Sequence, residues 1–177
     1  MAQPMTRILI VGSPGSGKST LAVRLGRALS LPVVHLDRLY WRAGWRSVPN
    51  EEFDRQLEAV LAQDAFLIDG NYARSLARRV EQSQAVILLD LGRVACVLRA
   101  LRRILLCYGR TRPDMGDGCP ERFDRAFLKY IWTFPSLILP ETLETIAAHP
   151  GVRLIRLRSR RACRAFLKQV QRENGIY

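Results

Sequence analysis

Five short apolar runs punctuate the chain, at residues 7–11, 33–36, 65–68, 85–89 and 152–157. Each is bounded by charged or turn-forming residues and is too short for a buried helix, so each predicts a strand. Arg7-Ile8-Leu9-Ile10-Val11 and Ala85-Val86-Ile87-Leu88-Leu89 are almost wholly apolar, which suits parallel strands covered on both faces. Between the runs the apolar period lengthens to three and four. Helices are predicted over 18–30, from 51, over 74–81, 93–107 and 121–134, on to about 148 after Pro135 and Pro140, and over 161–172. Asn50 is placed to cap the second of them. The buried stripes read as Leu21, Leu25, Ala28 and Leu29 in the first, Phe53, Leu57, Val60 and Leu61 in the second, and Val94, Val97, Leu98, Leu101 and Leu105 in the fourth.

Strands alternating with helices predict right-handed crossovers and one five-stranded parallel sheet between two helical layers, an α/β fold. Ligands of such sheets bind beyond the C-terminal strand ends. Three acids stand there: Asp37, Asp69 and Asp90. Two stretches lack a period. Residues 38–49 are dense in aromatic and basic side chains, including Tyr40, Trp41 and Trp45. Residues 108–120 hold three glycines and two prolines. A loop of that length inside a compact domain commonly serves as an active-site lid.

A chain of 177 residues with 48% apolar content suits one domain, taken as 1–177. No run nears the roughly 20 apolar residues of a membrane span, and Met1–Arg7 does not read as a leader. A cytoplasmic protein with no membrane partner is expected. The four cysteines form no C-x-x-C pair, and the two histidines have no metal spacing. The net charge of +12 weighs more, because it suggests a polyanionic partner such as a nucleotide, nucleic acid or a phosphometabolite.

The chemistry enters right after the first strand. Gly12-Ser13-Pro14-Gly15-Ser16-Gly17-Lys18-Ser19, followed by Thr20, has the spacing G-x-x-x-x-G-K-[ST]. Glycines let the backbone curl so that N–H groups converge on an anion, and the helix behind adds its positive end. Lys18 would reach the β- and γ-phosphates of ATP, and the Ser19 hydroxyl would ligate Mg²⁺. Asp69 would hold Mg²⁺ with it. Asp37 could accept the proton of an attacking hydroxyl. Arg99, Arg102 and Arg103 share a helix side. With Arg110 and Arg112 they surround the Gly/Pro-rich loop, where guanidinium forks could steady a transferring phosphoryl group. Arg103, Arg110 and Arg112 are the choices for phosphate contact. Arg74 is a candidate for an acceptor anion. His35 reads as a hydrogen-bonded core histidine, and Asp114 and Asp117 as turn residues.

The phosphate loop, His35-Leu36-Asp37-Arg38-Leu39-Tyr40-Trp41, Ile68-Asp69-Gly70-Asn71-Tyr72, Gly109-Arg110-Thr111-Arg112-Pro113-Asp114-Met115 and Gly118-Cys119-Pro120-Glu121-Arg122-Phe123 together resemble one group. It comprises the bacterial adenylate-kinase-related P-loop proteins termed topology modulation (FlaR-related) proteins. The resemblance implies a nucleoside-monophosphate-kinase-like P-loop NTPase fold. It also implies an acceptor-binding segment over 38–64 and a short lid over 108–121. Two departures from adenylate kinases proper count against AMP as acceptor. Arg74 comes one residue late after Asp69-Gly70, and Tyr40 stands where their acceptor arginine would be. Asp37 is similar in position to the acceptor-side aspartate of small-molecule P-loop kinases such as shikimate kinase.

Two functional classes follow. One is an ATP- and Mg²⁺-dependent kinase of a small acceptor, such as a nucleotide or nucleoside. The alternative is a nucleotide-regulated nucleic-acid-binding protein, which the charge and the group's label favour. No nucleic-acid-binding motif accompanies the charge, so any such binding would be non-specific. The acceptor's identity, ATP against GTP and the oligomeric state stay open at this level.

Overall fold

The structure is a computed structural model that describes residues 5–175. Residues 1–4, part of the stretch read as carrying no leader, lie outside the described residues. The first unit is β1 (Arg7–Gly12), the phosphate loop and α1 (Lys18–Leu29). Then come β2 (Val33–His35), a short α2 (Leu36–Tyr40), a two-stranded hairpin of β3 (Trp41–Arg42) and β4 (Arg46–Ser47), and α3 (Asn50–Leu61). β5 (Phe66–Asp69) leads through a 3-10 turn, Ala73–Ser75, into α4 (Leu76–Glu81). β6 (Ala85–Leu89), α5 (Arg93–Cys107), α6 (Arg125–Leu137), α7 (Leu139–Ala147), β7 (Arg153–Leu157) and α8 (Arg160–Glu173) complete the order.

The main sheet is wholly parallel, in the order β2-β5-β1-β6-β7. Its two faces follow from the period of two in the strands. Ile8 and Ile10 of β1 pack with Leu21 and Leu25 of α1, Ala100 of α5 and Leu167 of α8. Leu9 and Val11 pack on the other face with Phe53 and Leu57 of α3, Val80 of α4 and Ile146 of α7. α6 serves both layers, with Ile131 on the first and Phe134 on the second. Each fully buried Leu or Ile contributes roughly 1.5–3 kcal/mol, so a one-residue slip of β1 would forfeit several such terms. Register brings His35 beside Asp69 and Ile10 beside Asp69, which levels the ends of β2, β5 and β1 at one edge.

Several sequence expectations shift. Leu36 belongs to α2 rather than β2, so Asp37 sits in the first turn of a short helix, not at a strand end. Asn50 is the first helical residue of α3 and caps nothing; Pro49 precedes it as N-cap. α6 begins at Arg125, because the Asp124 side chain accepts from the N–H groups of Ala126 and Phe127. Glu121 is therefore outside the helix. Pro135 is carried within α6's last turn instead of ending it. The largest change is in α5. Of the stripe read as buried, Val94, Leu98 and Leu105 lie in solvent at 57%, 61% and 82% exposure, while Val97 and Leu101 are half-buried. The helix packs through Cys96, Ala100 and Ile104 instead, against α6. No helix of the described residues is long and apolar enough to cross a membrane.

Candidate functional site

A cavity of about 1180 Å³ opens at the C-terminal edge of the sheet. Its floor is the phosphate loop. Gly12, Gly15 and Gly17 take φ of 135°, 75° and 99°, a region where an L side chain is strained. Gly17 N-caps α1 and no side chain closes that end, so the first N–H groups of the helix stay open at the cavity. The Lys18 Nζ folds back onto the loop, donating to Gly12 O at 2.9 Å and Ser13 O at 3.2 Å. Burial lowers its pKa, while Asp69 and Asp37 oppose that shift. Ser13 and Ser16 are buried beneath the loop, whereas Pro14, Ser19 and Thr20 line the cavity.

Asp69 closes β5 at 5% exposure. Its Oδ2 lies 2.9 Å from His35 Nδ1. An ionised carboxylate only accepts, so that ring nitrogen carries the proton here. Asp69 Oδ1 is buried with no hydrogen-bond partner. A buried, unpaired carboxylate oxygen beside a serine of a phosphate loop fits a hard cation. Among the described residues no three His, Cys, Asp or Glu cluster as a metal cage. Mg²⁺ keeps water and phosphate oxygens as ligands and takes only one or two from protein.

Asp37 lies across the cavity. Tyr72 donates its hydroxyl to Asp37 Oδ1 at 2.6 Å, and among the described residues Oδ2 has no hydrogen-bond partner. Burial, reinforced by Asp69, raises the Asp37 pKa, while the Tyr72 hydroxyl and Lys18 pull it down. Burial and the Asp37 carboxylate in turn hold the Tyr72 phenol well above its ordinary range. Tyr72 is a non-glycine residue at φ 40°, a conformation that surrounding structure must impose.

The imposing group is Arg79, which sequence reading passed over as part of a polar helix. Its exposure is 0%. It donates to Gly70 O at 3.0 Å, Tyr72 O at 3.0 Å, Ser75 Oγ at 3.2 Å and also to Asn71 O. Burial pushes its pKa down to about 9, which leaves it charged at neutral pH. The loop it holds reaches the phosphate loop directly, since Asn71 Oδ1 accepts from the Gly12 N–H at 3.0 Å. The aromatic residues of 38–49 divide. Trp41 and Trp45 line the cavity, whereas Tyr40 packs against Phe53 and Tyr72.

The 108–121 loop folds over this arrangement. Arg103 and Arg112 line the cavity and share one buried carboxylate, Glu121, at 2.8 and 2.9 Å. Arg112 also pairs with Asp114 at 2.7 Å. Burial disfavours the Asp114 carboxylate, yet Arg112, the Ser19 hydroxyl and His35 together keep its pKa below the ordinary range. Asp114 is thus a wall of the cavity, not a bare turn residue. Arg99 lines the cavity and Arg102 faces solvent.

Three other candidates lie elsewhere. Arg110 is exposed and lines no part of the cavity, because its carbonyl is pinned by the Glu121 N–H at the loop's base. Arg74 is engaged by Asp54 through two hydrogen bonds of 2.9 and 2.6 Å. Asp90 is taken by Arg156 of β7 at 2.7 Å. No local pattern distinguishes a free arginine from one whose carboxylate lies far away in sequence.

The loop also docks on the β3–β4 hairpin. Gly44 N–H donates to Gly118 O, Trp45 Nε1 to Pro120 O and Cys119 Sγ to Arg42 O. A Cβ on Gly116 would stand 2.0 Å from the Trp41 carbonyl oxygen. Gly116→Ala is therefore expected to lift the loop from the hairpin and destabilise the protein by about 1–3 kcal/mol. Thermal unfolding and amide hydrogen exchange of 108–121 would register it, and unchanged values for both would refute the contact.

No family model matches the chain. The shikimate kinase of Corynebacterium glutamicum is 30% identical over 135 residues, covering 69% of this chain and 76% of that one. The chain belongs to the shikimate kinase family of P-loop kinases. It is a small-molecule phosphotransferase. Among solved structures, the shikimate kinase of Acinetobacter baumannii in complex with shikimate aligns at TM-score 0.59 and 14% identity, covering 96% of this chain and 92% of that one. A gluconokinase from Sinorhizobium meliloti aligns at TM-score 0.54 and 14% identity, covering 97% and 92%. At that identity these two likenesses concern the fold alone.

Proposed function

We propose that this kinase transfers the γ-phosphoryl group of ATP to a hydroxyl of a small acceptor seated against Asp37. The observation that carries this reading is the pairing, in one cavity, of an open phosphate loop with a carboxylate oxygen left free by the Tyr72 contact. Residues 12–20 cradle the phosphates, and Lys18 swings from the loop carbonyls to the γ-phosphate. Ser19 and Asp69 would hold Mg²⁺, which supplies charge neutralisation on the phosphate oxygens. The acceptor oxygen bonds to the γ-phosphorus as the bond to the β–γ bridging oxygen breaks. ADP leaves with that electron pair, and Asp37 Oδ2 takes the acceptor proton. Arg103 and Arg112 balance the charge spread over the equatorial oxygens. Residues 38–64 form the acceptor segment and 108–121 the lid, both within one domain over 1–177.

The motifs at 109–115 and 118–123 support a place in the topology modulation (FlaR-related) group of P-loop proteins, and a cytoplasmic setting suits its substrates. Eight basic residues lie between Arg153 and Arg172 and none lines the cavity.

The test is ATP- and Mg²⁺-dependent ADP formation across a panel of nucleosides, nucleoside monophosphates and polyols. One acceptor should stimulate it, and Asp37→Asn should abolish that stimulation while nucleotide binding persists. Stimulation retained in Asp37→Asn would sink the proton-acceptor role. The pH profile adds a sign. Asp37 acts when ionised and its pKa is raised, so activity should fall on acidification at a pH above the ordinary carboxylate value of about 4. The Tyr72 hydroxyl favours the ionised form, so Tyr72→Phe should move that limb to still higher pH. A limb that stays put would exclude the contact from the working enzyme.

A further inference from the structure

We propose that Glu121 is a positioning residue that presets Arg103 and Arg112 for the transferring phosphoryl group; this rests on the phosphotransfer roles given above to the two arginines. The arginines come from different elements, α5 and the 108–121 loop. Their guanidinium groups converge on one carboxylate that is 6% exposed. Glu121 Oε1 receives Arg103 Nη2 at 2.8 Å and Nε at 3.0 Å, while Oε2 receives Arg112 Nε at 2.9 Å. Two cations in a partly desolvated cleft repel each other, and a shared anion cancels that repulsion. The paired edges leave Arg103 Nη1 and Arg112 Nη2 without a hydrogen-bond partner among the described residues. Both arginines line the cavity, so these are the groups that remain for a phosphate.

The carboxylate cannot drift. The Glu121 N–H donates to Arg110 O and its carbonyl accepts from the Gly109 N–H, each at 2.9 Å. The preceding carbonyl, of Pro120, is held by Trp45. An acid at a phosphate site repels the substrate by itself. Its place there makes physical sense through the order it imposes: with Asp114 also on Arg112 the four groups balance, and the two guanidinium groups are held in a fixed orientation before ATP arrives. A residue that only filled space would be replaced without consequence by glutamine, which has the same size and hydrogen-bonding reach but no charge.

The test compares Glu121→Gln and Glu121→Asp with wild type in the full chain. For Glu121→Gln, kcat should fall by roughly tenfold or more while KM for ATP changes by less than about threefold. Glu121→Asp, which keeps the charge, should recover part of kcat. Amide exchange of 108–121 without nucleotide should be faster in Glu121→Gln than in wild type. Wild-type kcat and exchange in Glu121→Gln, with Arg103→Ala and Arg112→Ala impaired, would overturn this proposal alone. Wild-type kcat in both arginine variants would overturn the reading it rests on. A lowered KM for ATP with kcat intact would make Glu121 a mere repellent of nucleotide and also overturn it.

Discussion

Lys18→Ala lowers acceptor-dependent ADP formation by roughly a hundred- to a thousand-fold, the loss seen when one preorganised charge donor is taken from a transition state. Lys18 is the cation closest to the phosphate loop's own carbonyls, which it holds at 2.9 and 3.2 Å. Those contacts are weak competitors for an amine that a γ-phosphate would engage as an ion pair. Burial lowers the Lys18 pKa, and Asp69 and Asp37 oppose that shift. In Lys18→Ala the loop fold itself survives, because its shape comes from Gly12, Gly15 and Gly17 at positive φ. Thermal unfolding should therefore change far less than turnover. Single-turnover measurement separates the two effects. A variant that retains turnover within about threefold of wild type would remove Lys18 from the chemistry.

Arg79→Ala destabilises the fold by about 3–5 kcal/mol, because it strips a fully buried donor from four acceptors. At this chain length that is a drop in Tm of roughly 10 °C. The carbonyls of Gly70 and Asn71 would lose their donor, while Tyr72 O and the Ser75 hydroxyl would keep only their contacts with each other and the Ser75 N–H. Turnover should fall as well, since that loop carries Tyr72 to Asp37 and Asn71 to Gly12. Arg79→Lys should restore only part of either property, as a lysine has three donors on one nitrogen and cannot span the same acceptors. A loss in Tm below about 3 °C in Arg79→Ala would contradict the hub role. Normal turnover in a variant that is otherwise destabilised would contradict the link to the site.

The sequence by itself determined the elements whose cause is local. The strands were legible because a buried parallel strand must be apolar on both faces, and Ile8 to Val11 and Val86 to Leu89 are. The phosphate loop was legible because its chemistry needs glycines, a lysine and a hydroxyl at fixed spacing within one turn of backbone. Asp37, Asp69, Arg103 and Arg112 were reachable by combining that loop with the rule that ligands gather at the strand ends, and all four line one cavity.

Tertiary structure alone decided which charges are free. Arg110 and Arg112 look alike in sequence. One is exposed outside the cavity and the other lies within it beside Glu121, a carboxylate nine residues away in the chain. Arg79 stands next to Arg78, yet Arg78 pairs with Glu58 and Glu81 at the surface while Arg79 lies in the core. The apolar period of α5 was real, but its buried row is Cys96, Ala100 and Ile104, the row that meets α6. Periodicity records that a helix has two faces. Which face is covered, and which arginine meets which acid, depends on elements that chain folding brings together from far apart, and no local pattern encodes that choice.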